Sequence, residues 1–284
     1  KNQPIGDCWT VSVGGALRYR YMNETDRLRP GGPGKSTYDL WRFTPHIQLK
    51  RGDAFTAYVE AIDASIFNEE LPVTGIDENR ADLLQVYGDF KIAKGDDGTL
   101  RGRVGRQFLK YGSQHLVSPL AWSNTFRNFE GVRLYYTSSD WDIDAFATRP
   151  VNAGAGNIFR PTSADHADQS KWFSGVYSTW KGTENQKLDL YWIWADEDND
   201  KLNRIDGDRH TLGARWEGKH AVTECDRVVG TWNAELEGAY QFGEESFNTG
   251  VNQDIQAGFL SAILGYTWND VAWTPSVKGL FWYG

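Results

Sequence analysis

The sequence has very little sulfur: 284 residues contain two cysteines and a single methionine. The cysteines, Cys8 and Cys225, lie far apart in the chain, and neither belongs to a CxxC or a His/Cys spacing. A zinc site with ordinary ligand spacing is therefore not expected. No pattern supports a disulfide between them, and two unrelated thiols are the simpler interpretation. We predict neither a metal nor a cofactor.

Long apolar runs are missing as well. No segment reaches the roughly 18 consecutive apolar residues of a membrane-spanning helix, and no segment has a convincing helical period. The net charge of −8 argues against nucleic acid as a partner. What remains is β-structure, which can cross a bilayer with strands that are apolar only at alternate positions.

A period of two dominates the sequence. In WTVSVGGALRYRYM, residues 9–22, apolar side chains such as Val13 and Leu17 alternate with polar ones such as Arg18 and Arg20. About thirteen segments of this kind occur, each close to the ~9–11 residues of a tilted membrane strand. They are residues 9–22, 40–50, 55–62, 83–92, 99–107, 130–137, 141–148, 172–180, 188–196, 209–217, 231–241, 255–268 and 274–283.

Short turns alternate with long polar connections between these segments, as expected when hairpins cross one membrane. The long connections are 23–38, 64–81, 109–128, 149–170, 197–208 and 243–253. One further connection, 218–230, is long although it lies on the side of the short turns, and it breaks this alternation.

The chain also contains 13 Trp, 13 Tyr and 14 Phe, many at strand ends, where two aromatic girdles would meet the lipid headgroups. A soluble β-protein with an aromatic core is the alternative.

The stretch 103–136 resembles the alginate export family of outer-membrane β-barrels. The matching motifs are RVGRQ (103–107), YGSQHLVSP (111–119) and FEGVRL (129–134), which follow the family pattern in order and spacing. Supporting matches are WDIDAFATRPV (141–151), RHTLGARWEG (209–218) and WNAELEGAYQFG (232–243).

The resemblance implies an all-β fold, an antiparallel up-and-down transmembrane β-barrel in the bacterial outer membrane, formed by one domain over residues 1–284. It implies a channel and not an enzyme, with the bilayer, an anionic polysaccharide and periplasmic secretion proteins as candidate partners. Family barrels have more strands than the thirteen predicted here. We therefore expect a piece of a larger barrel that lacks C-terminal strands.

The polar face carries arginines that favour anions, because a guanidinium group pairs bidentately with a carboxylate and rings of arginine select anions in pores. The alternative is that arginines and acids only neutralise each other. Arg106 is two residues from Val104, so the strand alternation predicts that both side chains lie on the lipid face. The predicted pore-lining residues are Arg18, Arg20, Arg42, Arg101, Arg103, Arg133, Arg215, Glu60, Asp89, Asp142 and Asp144.

The predicted function is passive export or diffusion of an alginate-like polysaccharide, or of smaller anionic solutes, through this arginine-lined lumen. A general or substrate-selective porin is an alternative. A soluble carbohydrate-binding or hydrolytic β-protein is another, since carboxylates two residues apart share a face, as a glycosidase pair would. We expect loop 109–128 to fold inward and narrow the pore, and turn 218–230 to restrict the opposite mouth.

Overall fold

In the computed structural model, the described residues are 2–26, 34–152, 164–198, 205–247 and 251–284. They form fourteen β-strands, and these residues contain no helix that is long and apolar enough to cross a membrane. The strands are β1 (Gln3–Ile5), β2 (Trp9–Thr25), β3 (Lys35–Arg51), β4 (Phe55–Phe67), β5 (Asn79–Lys94), β6 (Gly98–Gln107), β7 (Phe129–Ser138), β8 (Trp141–Pro150), β9 (Lys171–Trp180), β10 (Gln186–Glu197), β11 (Ile205–Glu224), β12 (Arg227–Phe247), β13 (Val251–Trp268) and β14 (Ser276–Tyr283).

The strands follow one another in sequence order in a single antiparallel sheet. The thirteen predicted segments correspond to β2 through β14, so the up-and-down order is confirmed. The short strand β1 was not predicted, because three residues are too few to show an alternating pattern. It pairs with the start of β2 through Pro4 and Thr10.

Several strands are longer than a membrane crossing requires. β2 and β3 have 17 residues each, β11 has 20 and β12 has 21, against the ~9–11 of a tilted crossing. The predicted long connection 243–253 is mostly strand, since β12 runs to Phe247 and β13 begins at Val251. The predicted loops 23–38, 149–170 and 197–208 lie partly outside the described residues.

The prediction of a long, restricting turn at 218–230 is wrong. β11 and β12 pair through this region and are joined by Cys225 and Asp226 alone. Both residues have positive φ, 47° and 63°, as a two-residue type I′ hairpin turn requires. The pattern was missed because 219–224 are almost all exposed, so burial imposes no apolar alternation. Cys8 and Cys225 are free and exposed.

The chain divides into two compact units: residues 1–92, 101–133 and 148–169 form the first, and residues 93–100, 134–147 and 170–284 form the second. In the first unit, Val13 and Leu17 are each 67% exposed, whereas Arg18 and Arg20 contact the chain on the opposite face of β2. This confirms the predicted alternation. An uncovered apolar face is unsuited to water but matches lipid.

In the second unit, aromatic side chains pack near both ends of β12, where the two predicted girdles would lie. On β12, Trp232 packs against Tyr266 at the end nearer the short turns, and Phe242 packs against His210 at the other end. Ten residues separate Trp232 from Phe242, which is roughly 33 Å along a strand. A tilt of ~45° reduces this to about 23 Å of height, close to the ~25 Å apolar band of outer-membrane barrels.

Candidate functional site

Three arginines gather on the polar face of β2 and β3 in the first unit. Arg18 lies directly opposite Arg42 in the strand pairing, and Arg20 is two residues along the same face. Like charges placed opposite each other destabilise a sheet, so this arrangement needs partners. Within the described ranges, none of the three forms an ion pair with an acidic side chain. We call Arg18, Arg20 and Arg42 the arginine cluster.

The partners of the arginine cluster are backbone carbonyls of the long loop between β6 and β7. The segment 120–125, which we call the loop tip, supplies the carbonyls of residues 121–123. Arg20 Nη1 donates to one at 2.8 Å, Arg42 Nη1 to another at 3.0 Å, and Arg18 Nη1 to a third at 3.1 Å. The loop between β6 and β7 therefore folds onto the polar face, as predicted for 109–128. That it narrows a pore stays a prediction.

Asn124 anchors the loop tip. Its side chain is buried, and its amide nitrogen lies 3.1 Å from the carbonyl oxygen of Trp41, 3.2 Å from that of Ser65 and 2.9 Å from that of Asp77. Its backbone N–H donates to the Ile76 carbonyl at 2.9 Å. One buried amide thus ties the loop to β3, to β4 and to the connection that follows β4.

Aromatic packing supports the same contact. The guanidinium carbon of Arg42 lies 4.2 Å above the centre of the Phe126 ring, and the Phe126 and Phe108 rings are 5.1 Å apart. Both phenylalanines pack on a buried cluster that includes Ile62 and Leu84. A cation over an aromatic face is attracted by the ring quadrupole, so Arg42 is oriented from two sides.

The arginine cluster keeps unused capacity for an anion. Backbone carbonyls carry partial charge only, and among the described residues no acid forms an ion pair with these three arginines, although Glu60 on β4 attracts Arg42 electrostatically. The Nε atoms of Arg18 and Arg20 are buried and have no hydrogen-bond partner among the described residues. A carboxylate offers two charged acceptors in the geometry that a guanidinium fork matches. The chemistry available here is therefore reversible binding of an anion.

A second group of predicted residues is neutralised internally. Asp89 on β5 is buried and accepts hydrogen bonds from Arg101 Nε at 2.8 Å and Arg103 Nε at 2.9 Å. Arg101 also reaches the Asp53 carboxylate at 3.2 Å, and the Arg103 guanidinium lies 4.0 Å above the Tyr87 ring. These two arginines are held as paired charges, separately from the arginine cluster.

The other predicted residues are dispersed. Glu60 accepts a hydrogen bond from a glutamine side chain of β5 at 2.7 Å. In the second unit, Asp142 binds Lys181 Nζ at 2.7 Å. Arg133 on β7 and Asp144 on β8 are half-buried, and both make contacts of their own.

The prediction that Arg106 faces lipid is wrong. Arg106 is buried; it binds Glu130 at 2.6 Å, Asp82 at 3.3 Å and the Asp165 carbonyl at 2.6 Å. The cause is Gly105, whose φ of 125° is left-handed backbone that glycine tolerates. This irregularity interrupts the alternation between Val104 and Arg106, so the side-chain parity read from the first half of β6 fails beyond it.

In the second unit, Arg215 is held by carboxylates. Its Nη1 is 2.9 Å from Asp189 and its Nη2 is 2.8 Å from Glu235, with Glu217 as a further partner. Asp189 also accepts hydrogen bonds from the Tyr177 and Thr179 hydroxyls, and Tyr191 donates to Glu237 at 3.0 Å. This set is richer in acids than in cations. We call it the Arg215 network: Arg215, Asp189, Glu217, Glu235, Glu237, Tyr177, Thr179 and Tyr191.

The chain matches a protein family over nearly its whole length and is similar to solved outer membrane proteins. The family model described as alginate export matches residues 9–282. Among solved structures, the chain is similar to in-vitro folded OmpT, an outer membrane protein of Vibrio cholerae, with 10% identity, 98% of this chain and 88% of that chain covered, and a TM-score of 0.39. The loop L8 deletion mutant of OmpT gives 11% identity, 97% and 94% coverage, and a TM-score of 0.39. No curated protein sequence matches.

Proposed function

Because the chain belongs to the alginate export family of outer-membrane β-barrel channels, we propose that it conducts an anionic polysaccharide such as alginate, or smaller anionic solutes, by passive diffusion. As a member of that family it is a channel and not an enzyme. The observation that carries the proposal is the arginine cluster: three cations on one polar face, bound to neutral carbonyls. The preference for anions in this proposal rests on that observation.

The loop tip suits a transient partner of these arginines. A carboxylate carries a full negative charge and can accept two parallel hydrogen bonds from one guanidinium group. A backbone carbonyl is a single neutral acceptor, so a solute carboxylate competes well with the carbonyls of 121–123. The carbonyls rebind when the solute leaves. Each arginine therefore has a partner in both states, which keeps binding weak enough for release, as conduction requires.

A general or substrate-selective porin is the second candidate. It is favoured by Asp89 and by the Arg215 network, where arginines and acids satisfy each other. Such pairs fill the polar side of a barrel without selecting a solute. The two candidates differ in one property, which is the ion preference that the arginine cluster imposes.

The test is the reversal potential of full-length protein in a planar bilayer under a KCl gradient. We expect the unmodified protein to prefer chloride, and the triple variant Arg18→Gln, Arg20→Gln, Arg42→Gln to lose that preference. Arg103→Gln is the matched control: it removes an arginine of the same unit whose partner Asp89 keeps Arg101. Cation preference in the unmodified protein, or a triple variant that behaves like wild type, would refute the proposal.

A further inference from the structure

One tryptophan of the first unit is exposed on the polar side of the sheet. Trp122 belongs to the loop tip and is 62% exposed, whereas Ser123 and Asn124, which follow it, are buried. Trp41, by contrast, is exposed on the apolar face of β3, which lipid covers. An indole that meets water leaves a large apolar surface unburied, which is unfavourable. Such surface among polar groups is typical of a binding site.

The backbone of Trp122 is fixed on both sides of the residue. Its carbonyl accepts a hydrogen bond from Arg20 Nη1 at 2.8 Å. The Ser123 backbone N–H donates to the Leu120 carbonyl at 3.0 Å, and the Ser123 hydroxyl donates to the same carbonyl at 2.8 Å. The buried amide of Asn124 holds the next residue of the loop tip. The indole is therefore presented from an ordered turn, and a preorganised group loses less entropy when a ligand binds.

The indole itself is not used by the fold. Among the described residues, no aromatic ring or cation packs on it and no acceptor binds its Nε1–H. The phenylalanines of the same loop differ in this respect, because the rings of Phe108 and Phe126 are 5.1 Å apart and pack on the buried cluster of the first unit. Both faces of the Trp122 ring are thus left to a ligand.

The ring lies close to the arginine cluster. Arg20 and Arg18 both reach the Trp122 carbonyl, at 2.8 Å and 3.5 Å, and standard bond lengths then place the centre of the indole within about 9 Å of Arg20 Nη1. A uronic acid unit spans this distance. Its sugar ring has an apolar C–H face that can stack on an indole, and its carboxylate lies one bond outside the ring, where a guanidinium fork can bind it.

We propose that Trp122 and the arginine cluster together bind one uronic acid unit of a polysaccharide, with the sugar ring stacked on the indole and the carboxylate on the arginines. This inference rests on the proposed function, because it assigns a sugar to the anion that the arginine cluster binds. It adds selection for the sugar ring, since an anion without a ring gains the charged contact only. Trp122 therefore determines specificity beside arginines that any anion can reach.

The test is block of the ion current through full-length protein in a planar bilayer. Two blockers are compared in mildly alkaline buffer: tetramannuronate, a tetrasaccharide of uronic acids, and butanetetracarboxylate, which has four carboxylates and no sugar ring. Trp122→Ala should raise the half-blocking concentration of tetramannuronate by about fivefold, the loss expected when roughly 40 Å² of apolar contact is removed. It should leave the half-blocking concentration of butanetetracarboxylate unchanged.

Three controls show that the effect belongs to the ring. Alanine keeps the backbone carbonyl that Arg20 binds, so single-channel conductance without a blocker should not change in Trp122→Ala. Trp122→Phe keeps an aromatic face and should retain most of the affinity for tetramannuronate. Leu116→Ala removes another exposed apolar side chain of the same loop, outside the loop tip, and should behave like the unmodified protein.

The measurements separate this inference from the proposed function. Equal weakening of both blockers in Trp122→Ala, or an unchanged block by tetramannuronate, would overturn the sugar site even where the reversal potential shows anion preference. The triple variant of the arginine cluster should weaken both blockers, and an unchanged block by tetramannuronate in that variant would also overturn the site. Failure of the proposed function is seen separately, as cation preference of the unmodified protein without any blocker.

Discussion

The arginine cluster of the first unit and Arg215 of the second occupy the same kind of position, the polar face of an antiparallel strand, yet they have opposite partners. Arg215 is bound by carboxylates, whereas Arg18, Arg20 and Arg42 are bound by backbone carbonyls. A strand pattern alone treats them as equivalent. The partner decides whether an arginine is fixed within the fold or can exchange with a solute.

The two sites differ in net charge and in whether a solute can replace the partners of the arginines. In the Arg215 network, Asp189 would become a buried carboxylate without a cation if it left Arg215, which is strongly unfavourable. In the arginine cluster, the groups released on solute binding are neutral and can be hydrated. Stability should therefore depend on the Arg215 network, and ion preference on the arginine cluster. Four substitutions test this division.

The largest expected effect is on stability. Arg215→Met removes the cation that Asp189 and Glu235 share and should lower the unfolding free energy by ~3–5 kcal/mol, since Arg215 is only 7% exposed at its side chain. The readout is the urea midpoint of refolding into detergent, followed by gel mobility. Arg42→Met is the matched control and should cost much less, because it leaves carbonyls unpaired and no charge. Equal losses in both variants would abolish the distinction.

Releasing the loop tip is the next largest change. Asn124→Ala removes one buried amide that serves three carbonyls, and unmet hydrogen-bond partners of this kind cost ~1–3 kcal/mol. We expect the loop tip to detach more often and single-channel conductance to rise. Asn128→Ala is the control, because Asn128 donates to the Leu84 carbonyl at 2.6 Å and lies outside the loop tip. Unchanged conductance in Asn124→Ala would show that the loop tip does not restrict the path.

A smaller effect is expected inside the Arg215 network. Tyr191→Phe removes the hydroxyl that donates to buried Glu237 while keeping the ring that stacks on Tyr177, with centroids 5.3 Å apart. A hydrogen bond to a charged group contributes about 1.5–3 kcal/mol, and part of this is recovered by the other contacts of Glu237. We expect a loss near the lower limit in urea and unchanged reversal potential. A shifted reversal potential would place this network in the ion path.

Much of this fold could be predicted because lipid imposes a strict alternation. Leu17 and Arg18 could be assigned to opposite faces from the sequence, and thirteen strands follow from the same rule. Arg106 could not, since the left-handed backbone at Gly105 interrupts the parity and a glycine in a strand does not reveal its φ. The hairpin end at 219–224 was missed because exposure on both faces removes the constraint that creates a pattern.

The site was predictable in its residue types but not in its grouping. The arginines were identified from strand parity, but the sequence does not show which of them meet acids. Asp89 lies on the strand that pairs with the one carrying Glu60, and only the register decides that it holds Arg101 and Arg103. The partners of Arg18 and Arg42 are backbone carbonyls, which every residue possesses. No side-chain signal could have indicated them.

The smallest expected effect, and the most direct test of the comparison, converts a paired arginine into an exchangeable one. Asp89→Asn preserves the shape of the side chain but removes the charge that holds Arg101 and Arg103. The fold should persist, because Arg101 retains Asp53 and the Arg103 guanidinium retains the Tyr87 ring. The two guanidinium groups then add positive potential to the polar face without a neutralising acid. Because local potentials on protein surfaces reach several kT, we expect the anion-to-cation permeability ratio to rise by about threefold.

The reversal potential under a KCl gradient is the measurement, and Asp97→Asn is the control. That residue is an exposed acid of the β5–β6 turn, so its loss changes the net charge equally without freeing an arginine. At physiological salt, screening over ~8 Å removes most of the influence of such an exposed charge. An equal rise in both variants would mean that total charge sets the preference. No rise in Asp89→Asn would mean that arginines freed from Asp89 do not contribute to it, and the distinction between paired and exchangeable arginines would then have no bearing on conduction.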